Sequence, residues 1–294
     1  MSLNIAPTWY AQQFATNIAL LLQEKGPKTR EYVTVGNYVG KQASPVDQVG
    51  AVAMQPVVDR FAAMGRVDAP TDRRWVFPSD FDLPQLIDNF DLLRLITDPK
   101  SSYVQNAMYA AGRQYDDLVI AAALGTAQTG ETGATATTLP AGQVVAVNFG
   151  AASNTGLTVA KLREAKRILM TNQVDIANDP LTIILKAKQH DNLLAEAQVI
   201  STDFNEKPVL VEGLVTRFMG FNFVLCERIA ANGSSQDRVI AYSKSGMHLG
   251  IWNDMQVDIS ERKDLRGIPW QVYLKMTAGA TRLEEKKVVE IVCA

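Results

Sequence analysis

Histidine and cysteine are scarce in this chain, with two of each in 294 residues. That scarcity removes most routes to metal ligation, thiol chemistry and imidazole catalysis. Cys226 and Cys293 follow no metal or redox spacing. Each sits in an apolar, strand-like run (Phe223 to Cys226 and Val288 to Cys293). Both are expected to be buried free thiols of a chain made in a reducing cytoplasm. His190 has Asp191 beside it, but adjacent residues on a helix diverge by about 100° and do not face each other. It reads as part of a solvated helix surface. His248, between Met247 and Leu249, reads as packing at a strand end.

An excess of positive charge is missing too. Twenty-nine basic residues face 31 acidic ones, for a formal net charge of -2. A protein that grips DNA by neutralising phosphates carries a basic excess or stripe, so contact with nucleic acid is expected to be weak and sequence-independent. Long apolar runs are absent. Ile18 to Leu22 falls far short of the ~20 residues that span a bilayer, and no membrane contact is expected. No basic residue precedes Lys25, which leaves no positive n-region for a signal peptide.

The segment Gly125-Thr126-Ala127-Gln128-Thr129-Gly130-Glu131-Thr132 nearly matches a phosphate-cradling loop. Such a loop needs a lysine where Glu131 stands and follows a strand, whereas this one follows a helix. Paired acids at Asp116-Asp117, Glu284-Glu285 and in Asp80-Phe81-Asp82 read as ion-pair partners or solvated turns. Arg113 precedes Asp116 and Asp117 at a spacing that suits a salt bridge. No catalytic, cofactor-binding or metal-binding residue is assigned, and no enzymatic activity or cofactor is expected.

What is present is an ordinary folding composition, 47% hydrophobic and 20% charged, long enough for one large domain or two small ones. Residues 1–25 read as an arm with an amphipathic helix: Thr8 caps it, and Phe14, Ile18, Leu21 and Leu22 share one face until Gly26-Pro27 ends it. Glu31 to Val35 alternates as a strand, and Arg73-Arg74-Trp75-Val76-Phe77 reads as a second. Between them lies a Gly- and Pro-punctuated stretch with little apolar pattern, so the two strands are predicted to flank a long hairpin projecting from the body. Asp98-Pro99 opens a helix with an N-cap and a proline at its first position. Val104, Ala107, Met108, Ala111, Tyr115, Leu118, Val119 and Ala122 recur at helical spacing to Gly125. A helix over 98–124 is roughly 40 Å long, a spine.

Residues 125–157 read as a loop with a short strand at Val144 to Val147. A helix capped by Thr158 follows, presenting Val159, Leu162, Ala165, Ile168 and Leu169. Beyond it the pattern gives strands at Leu181–Leu185, Phe221–Leu225, Arg238–Tyr242, Gln256–Ser260, Gln271–Met276 and Lys287–Val292, with a helix at Lys188–Val199. The fold class is α+β, two prominent helices beside mixed and antiparallel sheet.

An arm, a projecting hairpin, a spine helix and an α+β body together resemble the Hong Kong 97-type fold of tailed-phage major capsid proteins. Short strings carry the same resemblance. They are Gly40-Lys41, Asp47-Gln48-Val49-Gly50-Ala51-Val52, Arg73-Arg74, Leu86-Ile87-Asp88 and Asp98-Pro99-Lys100-Ser101-Ser102-Tyr103. The series ends with Gly112-Arg113-Gln114-Tyr115-Asp116-Asp117, Ile120-Ala121-Ala122-Ala123 and Gly125-Thr126-Ala127. Ser44-Pro45-Val46 departs from it, where an aromatic is expected.

The resemblance implies an N-terminal arm (1–29), an E-loop hairpin (30–80) and a P-domain (81–178, with the spine helix 98–124). An A-domain (179–255) and returning C-terminal strands (256–294) complete it. It implies a coat subunit that assembles with copies of itself into pentamers and hexamers around double-stranded DNA. Assembly would run in the host bacterial cytoplasm, with a portal, possible decoration proteins and, because the chain begins directly with the arm, a separate scaffolding protein. Candidate inter-subunit contacts are Arg73, Arg74, Trp75, Phe14 and Ile18. Asp98, Pro99, Tyr103, Arg113, Asp116, Asp117 and Leu118 are assigned to the spine helix. An encapsulin-like compartment, a tail-tube protein and an α+β enzyme are the competing readings.

Overall fold

The computed structural model describes residues 22–41, 43–56, 65–87, 100–196 and 215–294. Strands β1 (Thr34–Asn37), β2 (Ala43–Val49), β3 (Thr71–Val76) and β4 (Ser79–Ile87) precede the spine helix α1 (Lys100–Leu124). Short strands β5 (Ala127–Thr129), β6 (Thr135–Thr137) and β7 (Val144–Val145) lead to α2 (Val159–Thr171). Then come β8 (Leu181–Leu185), α3 (Ala187–Leu194), β9 (Arg217–Phe218), β10 (Phe221–Leu225), β11 (Asp237–Ser243), β12 (Met247–Glu261), β13 (Trp270–Arg282) and β14 (Val288–Cys293).

They form three sheets, ordered β1-β12-β13-β4, β7-β14-β11-β8-β10-β9 and β2-β3-β5-β6. In the six-stranded sheet β8 lies between β11 and β10 and is buried along its whole length. An apolar run without alternation, Leu181-Thr182-Ile183-Ile184-Leu185, is what a strand covered on both faces requires. Leu162, Ala165 and Leu169 of α2 pack on this sheet in one core cluster, and Thr158 caps the helix through its hydroxyl. A second cluster joins Ala107, Ala111, Tyr115, Val119 and Ala123 of α1 to Leu274, Met276 and Ala278 of β13. Those five spine residues recur every four positions, so they share the face that lies on the sheet, with Tyr115 the large side chain among small ones.

Several sequence expectations change. Glu31 to Val35 is not a limb of the hairpin: Arg30–Tyr32 is a 3-10 turn, and β1 pairs in parallel with β12 of the body. The limbs are β2 and β3. Both stretches alternate equally well, so periodicity identifies a strand without naming its partner. Ala43 faces Val76 and Val46 faces Arg74, so Ser44 and Pro45 fall in a bulge, where a residue without an N–H costs no ladder bond. The Gly- and Thr-rich stretch after α1 is a small hairpin, β5–β6, that pairs onto β3 and braces the projection. The strands expected at Gln256–Ser260 and Gln271–Met276 are parts of one long β12–β13 ribbon, kept continuous by register shifts near Asn253. The helix predicted to reach Val199 ends at Leu194. On α1, Met108 is exposed and Leu118 only half-buried, so the buried stripe is narrower than the apolar pattern.

Both cysteines are buried and free, as expected. Burial pushes the Cys226 thiol up to about 12 and that of Cys293 to about 11. His190 is buried rather than solvated, and its Nε2 accepts the backbone N–H of Val215 at 2.9 Å. The fully buried Lys161 donates from Nζ to the carbonyls of Thr155, Gly156 and Val292, tying the start of α2 to β14. Burial pulls its pKa down.

Candidate assembly surface

Neighbouring residues of a strand point to opposite faces, and Arg73 and Arg74 show the consequence. Arg73 points outward from β3 and pairs across the hairpin with Asp47, Nε to Oδ1 at 2.5 Å. Its guanidinium also lies 5.6 Å from the Trp75 ring centroid. Arg74 turns toward the body. Its Nη1 and Nη2 each lie 2.7 Å from a carboxylate oxygen of Glu285, with its side chain only 7% exposed. Arg282 approaches the same carboxylate, Nε to Oε1 at 3.7 Å, and is fully buried. Its Nη1 donates to the carbonyls of Ala123 and Gly125 and its Nη2 to that of Thr137. The first two are acceptors at the C-terminal end of α1, which helices leave without a partner of their own, and the third is at the end of β6. Burial lowers the Arg282 pKa, with Glu285 pulling the other way. One Arg–Glu–Arg group thus joins the hairpin root, the last strands and the end of the spine.

The Arg74 guanidinium, read from the sequence as a candidate contact with a neighbouring subunit, is engaged within its own chain. The acids that engage the two arginines, Asp47 and Glu285, stand 26 and 211 residues away. Trp75 is half-buried and donates from Nε1 to the Gly130 carbonyl at 2.8 Å, so the supposed phosphate loop serves as a rest for the hairpin. Phe14 and Ile18 lie outside the described residues. Among polar neighbours, the hairpin leaves Val49, Val52, Met54 and Val67 exposed. Such side chains on an extension mark a surface that a partner covers.

The string Gly112 to Asp117 is a strap site. Residues 23–30 cross α1 there. Arg113 donates to the Gln23 side chain at 2.8 Å and to the Glu24 carbonyl at 3.0 Å. Asp116 Oδ1 accepts from Lys28 N, Thr29 N and the Thr29 hydroxyl at 2.8–2.9 Å. Asp117 pairs with Arg228. Tyr115 donates its hydroxyl to Asp254 at 2.8 Å while Arg30 lies over its ring. Burial raises the Tyr115 pKa well above that of a free phenol, helped by Asp254. The expected ion pair of Arg113 with Asp116 or Asp117 therefore does not form, because each of the three is taken by a segment distant in sequence. Tyr103 is exposed near the start of α1. Asp98 and Pro99 lie outside the described residues.

Among those residues no group of three His, Cys, Asp or Glu side chains is placed to hold a metal ion, and no helix is long and apolar enough to cross a membrane. A family model described as phage capsid protein matches residues 6–294, nearly the whole chain. The chain belongs to the phage capsid protein family. Solved phage capsids share its fold. The capsid of Cyanophage P-SCSP1u superposes with a TM-score of 0.73 at 17% identity, over 97% of this chain and 93% of that one. The Cyanophage Pam1 capsid gives 0.74 at 11% identity, over 100% and 98%. The capsid of Ralstonia phage GP4 gives 0.70 at 11% identity, over 100% and 97%. No curated protein matches in sequence. The phage capsid fold thus carries the Hong Kong 97-type arrangement read from the sequence, at identities where few individual side chains are shared.

Proposed function

We infer that this chain is the major capsid protein of a tailed bacteriophage, a coat subunit that tiles with copies of itself into pentamers and hexamers of an icosahedral shell. Family membership supports the shell role, and the exposed apolar row on the hairpin supports the mode of contact. Val49, Val52, Met54 and Val67 are exposed, and burying them against a neighbour stabilises the shell by the hydrophobic effect. Arg73 and Trp75 flank them from the hairpin's return strand.

In this reading residues 1–29 are the arm and the 30–80 segment carries the E-loop, narrowed to β2, β3 and the turn between them. Residues 81–178 form the P-domain around α1, 179–255 the A-domain, and 256–294 return to both. The shell encloses double-stranded DNA with weak, sequence-independent contacts, in keeping with the net charge of -2. Assembly in the host cytoplasm with a separate scaffolding protein, a portal and optional decoration proteins completes the proposal. The role is structural, not enzymatic.

Negative-stain microscopy of the expressed chain, alone and with a scaffolding protein from the same phage, tests it. Closed shells or capsomer sheets are expected. Open tubes would assign the chain to a tail, and small monodisperse particles under both conditions would sink the shell role.

A further inference from the structure

We propose that the outer face of α2 is a docking groove for an acidic, amphipathic peptide segment of a protein other than this chain. The inner face of α2 buries Leu162, Ala165 and Leu169 in the core. Its outer stripe, Arg163, Lys166, Arg167 and Met170, forms one wall of a cavity of about 530 Å³. Phe149 and Met219 close the other side. Met170 is 59% exposed and Phe149 37%, so two large apolar side chains of the groove face solvent.

Met219 adds an independent sign. It occupies the first central position of the two-residue turn between β9 and β10, at φ 52°, with Gly220 following at φ 86°. Primed hairpin turns of this kind favour Asn, Asp or Gly, because an L side chain enters the left-handed region at a cost. A methionine there sets its flexible thioether beside the groove, while Lys166 Nζ donates to its carbonyl at 2.9 Å and holds the turn against α2. Strain retained at a surface site points to use, and methionines are adaptable linings for binding surfaces.

Charge selects the occupant. Arg167 is paired with Glu164 and Lys166 holds the Met219 carbonyl, and with Arg163 they leave the groove three cations to one carboxylate, on a chain whose net charge is -2. An apolar floor with a basic rim fits a helix carrying apolar anchors at i and i+4 and acids on its flanks. A bare phosphate backbone would leave the apolar floor unused. The proposal stands apart from shell assembly, because it concerns a surface of the single subunit.

The test is fluorescence polarisation on the purified full chain with a labelled synthetic peptide, Leu at helical spacing and Glu elsewhere. Its Lys-for-Glu twin and a short DNA duplex serve as comparisons. The acidic peptide is expected to bind saturably, and Met170→Glu and Arg163→Glu, both surface changes, each to weaken it about tenfold or more. Circular dichroism checks that both variants fold, and a variant that fails this check is replaced by Arg167→Glu. Equal binding of the two peptides, no saturable binding, or binding unchanged in the variants overturns the proposal. So does duplex binding lost in the same variants, which would make the groove a nucleic-acid site. Self-association of the wild type that Met170→Glu abolishes would make it a contact between copies, and overturns it equally.

Discussion

Gly26 and Gly112 pack backbone on backbone where the arm crosses the spine helix. A methyl group built on Gly112 would sit 2.2 Å from the Gly26 carbonyl carbon, and one on Gly26 would sit 2.4 Å from that of Gly112. No side chain fits at either position. The approach lets Asp116, one turn further along α1, receive the backbone N–H groups of Lys28 and Thr29.

Replacing Gly112 with alanine therefore has the opposite sign to the usual effect. Within a helix, Gly→Ala ordinarily stabilises by up to about 1 kcal/mol. Here the added methyl displaces the strap, and overpacking of this kind costs about 1–3 kcal/mol. Thermal unfolding of Gly112→Ala is expected at a lower temperature than wild type. Gly26→Ala should fall similarly, and the double variant should lose less than the sum, since both remove one contact. A raised melting temperature for Gly112→Ala would show that the strap does not lie on the helix.

The two neighbouring arginines should separate cleanly. Arg73→Ala removes an exposed, solvent-screened pair with Asp47 and should leave the unfolding transition almost unmoved. Arg74→Ala leaves Glu285 buried without its bidentate partner, at a cost of about 3–5 kcal/mol. A joint change of Arg74→Met and Glu285→Leu should restore little of that loss, because it takes away the carboxylate beside the fully buried Arg282. Chemical denaturation of the three variants beside the wild type checks this. Equal losses for Arg73→Ala and Arg74→Ala would remove the buried pair from the account of the hairpin root.

How far the sequence could be read follows from the range of each interaction. Elements with a strong local pattern were legible: the spine helix and the helix capped by Thr158 by their period, and the core strands at Leu181–Leu185 and Phe221–Leu225 as short apolar runs, lie where those patterns put them. Partners were not. The 87 residues between Thr29 and Asp116, or the 211 between Arg74 and Glu285, leave no periodic trace, since periodicity reports a face and never what covers it. Strand β2 escaped notice because Pro45, Asp47 and Gln48 make it polar. His190 and Lys161 were misjudged or missed because a buried polar side chain is recognisable only from the acceptor or donor waiting for it. On the assembly surface, Arg73 and Trp75 were legible as residues of a projecting strand, whereas the inward turn of Arg74 depends on register.

The spine helix gives a further comparison. Val119 is fully buried in the core beside Tyr115, whereas Leu118 is half-buried and only packs against that cluster. Val119→Asp places a charge where no partner waits, at several kcal/mol, comparable to the ~5–15 kcal/mol that holds a domain together. Leu118→Asp leaves the carboxylate access to water and should cost only about 1–2 kcal/mol. Soluble yield and urea midpoints measure both. An unfolded Leu118→Asp beside a folded Val119→Asp would reverse the face assigned to the core.

Acid should loosen the seam between β1 and β12 through His248. The Thr34 hydroxyl donates to the Met247 carbonyl at 2.7 Å, so its oxygen accepts from His248 Nδ1 at 2.9 Å, and the Tyr38 hydroxyl donates to Nε2 at 2.8 Å. The neutral ring with its proton on Nδ1 satisfies all three groups. Protonation would set a second ring N–H against the Tyr38 hydroxyl in a site where burial lowers the pKa to about 4 from 6.5. A base whose pKa is lower folded than unfolded takes up its proton more readily when unfolded. Its contribution is complete above pH 6.5 and declines as pH falls toward 4, by up to about 1.4 kcal/mol per pH unit in that window. His190, also lowered by burial, adds a slope of the same sign. Stability measured against pH for wild type and His248→Gln should therefore keep a constant gap above pH 6.5 and converge as pH falls toward 4. The glutamine keeps a polar side chain there but cannot titrate. Parallel curves across the window would mean that His248 is as free to take up a proton in the folded chain as in the unfolded one.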